Sequence, residues 1–307
     1  MFQRSRLLTA ATAITAVGAL ALTGCGGKTT NSAKKSAKIS VSKNAALHDQ
    51  LPAAVKTSGK LVMATDPTYA PIESIVNGTT YQGFDIDLAR ALGKVLGVNI
   101  VIKKAQFDGI LAGINSGRFD FSMSAFTDNS DREKANDFVT YFTAGTSIGV
   151  KKGNPKNIQT QDDLCGKKVA AEKGTIQLTA LTTNKVDGVL TLRGTCLSKK
   201  LPAPTAVPLP DQNAVNAAVI SGRADAFTGD SPIVEYQGKL ENGQIQLAGK
   251  TTDVGPYGIA FPKGSPLAPI FQKAMAQLIK DGNYAAIIKT WGLESGAVTV
   301  SKINDAG

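Results

Sequence analysis

Apolar positions along this chain fall into two alternating rhythms. One is helical: after Gly83, residues Ile86, Leu88, Ala89, Leu92, Val95 and Leu96 recur at the spacing that places them on one face, with Asp85 and Asp87 in the first turn. Two more helical stretches close the chain, Leu267 to Lys280 and Tyr284 to Trp291. The other rhythm is short and apolar, as in Lys60-Leu61-Val62-Met63-Ala64 and Lys168-Val169-Ala170-Ala171, and predicts strands. A local pattern also occurs twice. Ile114-Asn115-Ser116-Gly117-Arg118-Phe119-Asp120 returns as Val219-Ile220-Ser221-Gly222-Arg223-Ala224-Asp225, each copy a helix end with a glycine cap, an Asp and an apolar strand. Repeated helix–turn–strand units predict parallel sheets with crossover helices, and hence an α/β fold of two lobes.

The amino terminus reads differently. Arg4 and Arg6 precede an apolar run from Leu7 to Leu22, followed by Thr23-Gly24-Cys25. This is the form of a secretory signal over residues 1–24; an uncleaved membrane anchor is the alternative reading. The Thr-Gly-Cys end resembles a bacterial lipobox, which implies acylation of Cys25 and attachment to the membrane by lipid. Residues 25–57 are rich in small and basic residues and carry little apolar surface, so a flexible tether is expected there.

The formal charge of +10 follows from that layout. Arg4 and Arg6 leave with the signal, seven lysines against Asp49 sit in residues 25–60, and the globular part is near neutral. A basic tether close to anionic lipid explains the charge, and no nucleic-acid surface is expected. Cys165 and Cys196 remain once Cys25 is lipidated; an even pair in an exported chain favours a disulfide, two free thiols being the alternative. No metal site and no cofactor are expected, since the cysteine spacing fits none and His48, the one histidine, falls in the tether.

Asp66-Pro67-Thr68-Tyr69-Ala70-Pro71, then Gly83 to Leu96, then Phe126-Thr127 and Arg132, in that order resemble the polar amino-acid-binding solute-binding proteins, family 3, of ABC importers. The resemblance runs from about Lys60 to Gly296. It implies a two-lobed type II periplasmic-binding-protein-like fold with lobe one over 58–146 and 253–307 (including a C-terminal tail), lobe two over 147–252, and a ligand cleft between them. The crossings fall near Thr143–Gly149 and Asp253–Ile259. It also implies an extracytoplasmic, monomeric protein whose partners are a free amino acid and an ABC permease.

Residue by residue, the resemblance assigns Arg132 and Thr127 to the ligand carboxylate, although Arg132 within Asp131-Arg132-Glu133-Lys134 also fits a solvated charge. Thr175, Ile176 and Gln177 correspond to a loop meeting the same carboxylate, and Ile176 departs from the usual Ser or Thr. Asp230 matches the ammonium-binding Asp, with Ser124 a further polar contact. Tyr69 and Phe107 match rings that sandwich the ligand side chain, and Asp66 the group receiving its polar end. Glu73 could add negative charge at the mouth. An acid between aromatic faces suits a basic amino acid; glutamine or another neutral polar one is the alternative. An enzyme on the same fold, dehydratase-like, is the rival class. It is disfavoured by the expected lack of a histidine, a cysteine nucleophile or a pair of cleft carboxylates. A sensor fused to a receptor is a third.

Overall fold

A computed structural model describes residues 39–240 and 243–306. The expected signal, and Cys25, lie outside them. Among the described residues no helix is long and apolar enough to cross a membrane.

Both lobes are built on one hydrogen-bonded sheet of eight strands. In lobe one Lys60–Thr65 lies between Asn99–Lys104 and Phe121–Ser122, all parallel. In lobe two Lys168–Glu172 lies between Thr205–Leu209 and Ala226–Asp230, again parallel. Two long antiparallel strands, Asn136–Lys151 and Ile245–Pro262, run through both halves and join them. They cover both expected crossings, and their pairing slips between Ala248 and Thr252, Thr252 and Gly255, and Tyr257 and Gly258. At Gly145 the strands approach so closely that a Cβ would sit 2.5 Å from the carbonyl oxygen of Thr252. Irregular pairing there leaves few ladder bonds to resist bending.

The repeated sequence has one structural job. Asp120 accepts from the Val62 amide at 2.6 Å, and Asp225 accepts from the Lys168 amide at 2.9 Å, each pinning the central strand of its lobe. Gly117 and Gly222 both adopt left-handed φ, +75° and +79°, in the turns that precede them.

The helix Phe84–Leu96 is buried on most of its surface. Its first amides are satisfied by backbone, Phe84 by Pro71 and Asp85 by Ile72. Asp85 is turned inward, where it accepts from the Tyr141 hydroxyl at 2.8 Å and the Ala125 amide at 3.2 Å. Trp291 belongs to the lobe-one core, and its Nε1 donates to Asp87 at 3.1 Å.

The expectation of a tether reaching residue 57 is corrected by the structure. Ala45–Asp49 and Ala53–Ser58 are short helices, and Leu47 and Leu51 are buried in the lobe-one core. Asn44 caps the first by accepting from the Leu47 amide at 3.1 Å, and the Asn44 amide donates to Val95. His48 is likewise docked, its Nδ1 2.7 Å from the Leu96 carbonyl. Two well-placed leucines and a cap outweigh the polar average of the segment.

Cys165 and Cys196 form a disulfide within lobe two, Cα atoms 5.6 Å apart. It ties the turn after Gln161–Leu164 to the helix Leu192–Ser198.

Candidate functional site

Strand ends place the cleft side chains, as expected where parallel strands point their carboxyl ends at a crevice. Asp66 and Tyr69 follow the lobe-one strand Lys60–Thr65, and Ser124 and Thr127 follow Phe121–Ser122. Glu172 ends the corresponding lobe-two strand, and Asp230 ends Ala226–Asp230. All ten residues that the resemblance assigns to the ligand line one cavity, together with Glu73, which the sequence placed at its mouth, and with Ala125 and Glu172. Its interior volume is only about 10 Å³, room for roughly one water, so an amino acid enters only when the lobes part.

Arg132 bridges the lobes. It donates to the Thr127 carbonyl at 2.7 Å and to the Gly174 carbonyl of lobe two at 3.0 Å. Its guanidinium lies over Phe126 and Phe107, 5.1 and 5.7 Å from the ring centroids, and those rings stack 4.3 Å apart. Loss of hydration pulls its pKa down to about 10, still fully charged at neutral pH. Phe107 therefore lines the cavity with its ring packed on Phe126, and Arg132 is anchored rather than a free surface charge.

Asp230 is held by three donors: Tyr257 Oη at 2.7 Å, Tyr69 Oη at 3.0 Å and Gln177 Nε2 at 2.7 Å. The Asp230 amide donates in turn to the Tyr69 oxygen, so Tyr69 ties lobe one to lobe two. Burial raises the pKa of Asp230, and the three donors and Arg132 oppose the rise. Thr175 caps the helix Ile176–Thr182 with its hydroxyl, accepting from Leu178 at 3.2 Å, while Gln177 braces Asp230. The Ser124 hydroxyl is committed to lobe one, accepting from the Asp66 amide and donating to Glu73 Oε1. Ala125 sits at left-handed φ, +52°, and its amide donates to Asp85.

The expectation that no pair of carboxylates occupies the cleft is also corrected. Asp66, Glu73, Glu172 and Asp230 all face the cavity and all are buried. Asp66 Oδ1, Glu73 Oε2 and Glu172 Oε1 have no hydrogen-bond partner among the described residues. Burial lifts the pKa of each, Glu172 to about 9, with Asp66 the strongest of the like charges that add to it. Glu73 and Asp85 form a buried carboxyl pair; burial and then the Asp85 charge push Glu73 well above the usual carboxylate range, and burial lifts Asp85 to about 7, so the pair holds a proton on Glu73. Sequence reasoning did not single out Glu172. A charged residue closing the apolar run Val169-Ala170-Ala171 just before Gly174 was the available signal. Among the described residues no group of three or more His, Cys, Asp or Glu side chains is disposed to hold a metal ion.

The sequence pattern of the bacterial extracellular solute-binding proteins, family 3, matches residues 61–294. The chain belongs to this family. It is accordingly an extracytoplasmic solute-binding protein of the type II two-lobed fold. It is similar to the arginine-binding protein ArgT of Corynebacterium glutamicum, 29% identical over 83% of this chain and 81% of that one. The ABC transporter glutamine-binding protein GlnH of Bacillus subtilis is 32% identical over 90% of this chain and 93% of its own. Among solved structures, an ancestral arginine-binding protein bound to arginine superposes with a TM-score of 0.67 at 30% identity, covering 76% of this chain and 98% of that one.

Proposed function

We propose that this protein captures a basic amino acid between its lobes and delivers it to an ABC permease, without chemically changing it. The observation that carries the reading is the charge inventory of the cavity. A bound zwitterion sets its carboxylate against Arg132 and its ammonium against Asp230, and the two pairs cancel. Left over are Asp66 and Glu172, buried acids each with an unpartnered oxygen, and no cation besides Arg132 lines the cavity to answer them. A positive side chain supplies the missing partner; a neutral amide does not. Tyr69 flanks that side chain, and Thr127, Thr175 and Ile176 shape the carboxylate end. The protein acts as a monomer held at the outer face of the membrane by lipid on Cys25.

A thermal-shift panel of the twenty amino acids on the purified chain from residue 39 tests this. Ligand at a hundredfold over Kd adds about 2.7 kcal/mol of stability, so the true ligand stands well clear of the rest. Arginine and lysine should give the largest shifts. A largest shift with glutamine moves the assignment to a neutral polar amino acid, and no shift with any of the twenty defeats it.

A further inference from the structure

The internal duplication makes two cavity acids counterparts. Asp120 is bonded to the Val62 amide, and its counterpart Asp225 to the Lys168 amide. Four residues beyond Val62 comes Asp66; four residues beyond Lys168 comes Glu172. The two carboxyls thus occupy the same place in the two halves of the molecule, at the cleft end of each lobe's central strand. Both line the one cavity, exposed by only 3% and 4%, and each keeps one oxygen without a hydrogen-bond partner.

Resting on the basic-ligand reading above, we propose that Glu172 is the lobe-two half of a cation clasp. The side-chain charge of the ligand lies between Asp66 and Glu172 and permits the lobes to close by cancelling their repulsion. Asp66 has support inside its own lobe, accepting from the Phe107 amide at 3.1 Å. Glu172 is surrounded by acid: Asp66 acts on it most strongly, then Asp211, Asp230 and Asp108. Closing the cleft around an uncharged side chain leaves Asp66 and Glu172 desolvated in one cavity, so one of them must take up a proton or the lobes stay apart. A guanidinium or ammonium group removes that cost and adds hydrogen bonds from both sides. Selectivity then resides in the closing step as well as in the first encounter with lobe one. A ligand shifts the open–closed balance only through contacts it gains in the closed state, and Glu172 provides such a contact.

The test is calorimetric titration of the wild type, Glu172→Gln and Glu172→Asp with arginine and with its neutral isostere citrulline. The wild type should favour arginine by at least a hundredfold. Glu172→Gln, which keeps the shape, should lose tenfold or more in arginine affinity while citrulline binding is unchanged or tighter. Glu172→Asp should restore a preference for arginine. Equal losses for both ligands mean Glu172 merely supports the fold, and unchanged arginine binding means it takes no part; either result overturns the clasp while leaving a basic ligand in place. If the wild type binds neither arginine nor lysine, the ligand class and the clasp fall together.

Discussion

The two lobes share a strand register but differ in how they are held together. Lobe one closes over interlocking aromatic rings: Phe84 with Phe142 at 5.3 Å, Phe121 with Phe271 at 5.0 Å, and Phe261 with Phe271 at 5.0 Å. Both lobes pack a cluster on each face of the sheet, Met63 in one and Ala64 in the other for lobe one. In lobe two, however, both clusters are small, Val169 and Ala171 belonging to one and Ala170 to the other. The first of these carries the disulfide. The same division appears in the cleft. Lobe one presents Asp66, Glu73 and Ser124 already braced by partners within the lobe, whereas Asp230 of lobe two depends on Tyr69 and Tyr257 for two of its three donors. One half braces its own cleft acids, and the other is stapled by the disulfide and borrows donors for Asp230 from across the cleft.

The sharpest way to break this division is to remove one charge from each half. Arg132→Ala and Asp230→Ala each leave a ligand charge buried without its partner, costing several kcal/mol, so amino-acid affinity should fall at least a hundredfold in both. Calorimetry measures it; a loss of only a few-fold in either variant removes that residue from the site.

Next in size is the staple. A Cys165→Ser, Cys196→Ser double variant should lose about 3–4 kcal/mol in the chain-entropy account of a loop of this length. Hydrogen exchange resolves the lobes: amides of lobe two should lose protection and the aromatic core of lobe one should keep it. Uniform loss across both lobes contradicts the comparison.

Smaller and symmetric effects are expected from Asp120→Asn and Asp225→Asn. Each weakens a charge-assisted bond to a strand amide, about 1 kcal/mol of stability in its own lobe. Denaturant melts should show similar losses if the duplicated turn does one job twice.

pH gives the subtlest effect. Glu172 moves from an ordinary glutamate value near 4.5 to about 9 in the fold, so the folded chain binds its proton more tightly than the unfolded one. That contribution is complete below about pH 4.5 and is lost as pH rises toward 9. Ligand-free protein should therefore melt progressively lower over that range. A saturating basic amino acid, by ionising Glu172, should release protons and flatten the dependence. Proton release is read by titration in buffers of different ionisation enthalpy.

Much of this architecture was legible because it is local. The glycine-capped helix ends, the paired Asp residues at 120 and 225, and the strands before Asp66 and Gly174 are all set by short-range pattern. The amino-terminal helices were not, because Leu47 and Leu51 are sparse in a polar segment whose docking rests on distant partners, the Asn44 amide on the Val95 carbonyl and His48 on the Leu96 carbonyl. The role of Glu172 was hidden for a related reason. Its meaning comes from Asp66, a hundred residues earlier, and only the equivalence of the two central strands brings them together. Arg132 is an intermediate case, a surface-like charge run in sequence that the fold turns inward onto Phe107 and Phe126.

On the function proposed above, a cationic amino acid closes the lobes by answering charge on both. Small-angle X-ray scattering of the purified chain with and without saturating arginine tests it most directly. The radius of gyration should fall when arginine is added and should not fall with citrulline at the same concentration. A radius unchanged by arginine, or reduced equally by both, contradicts it.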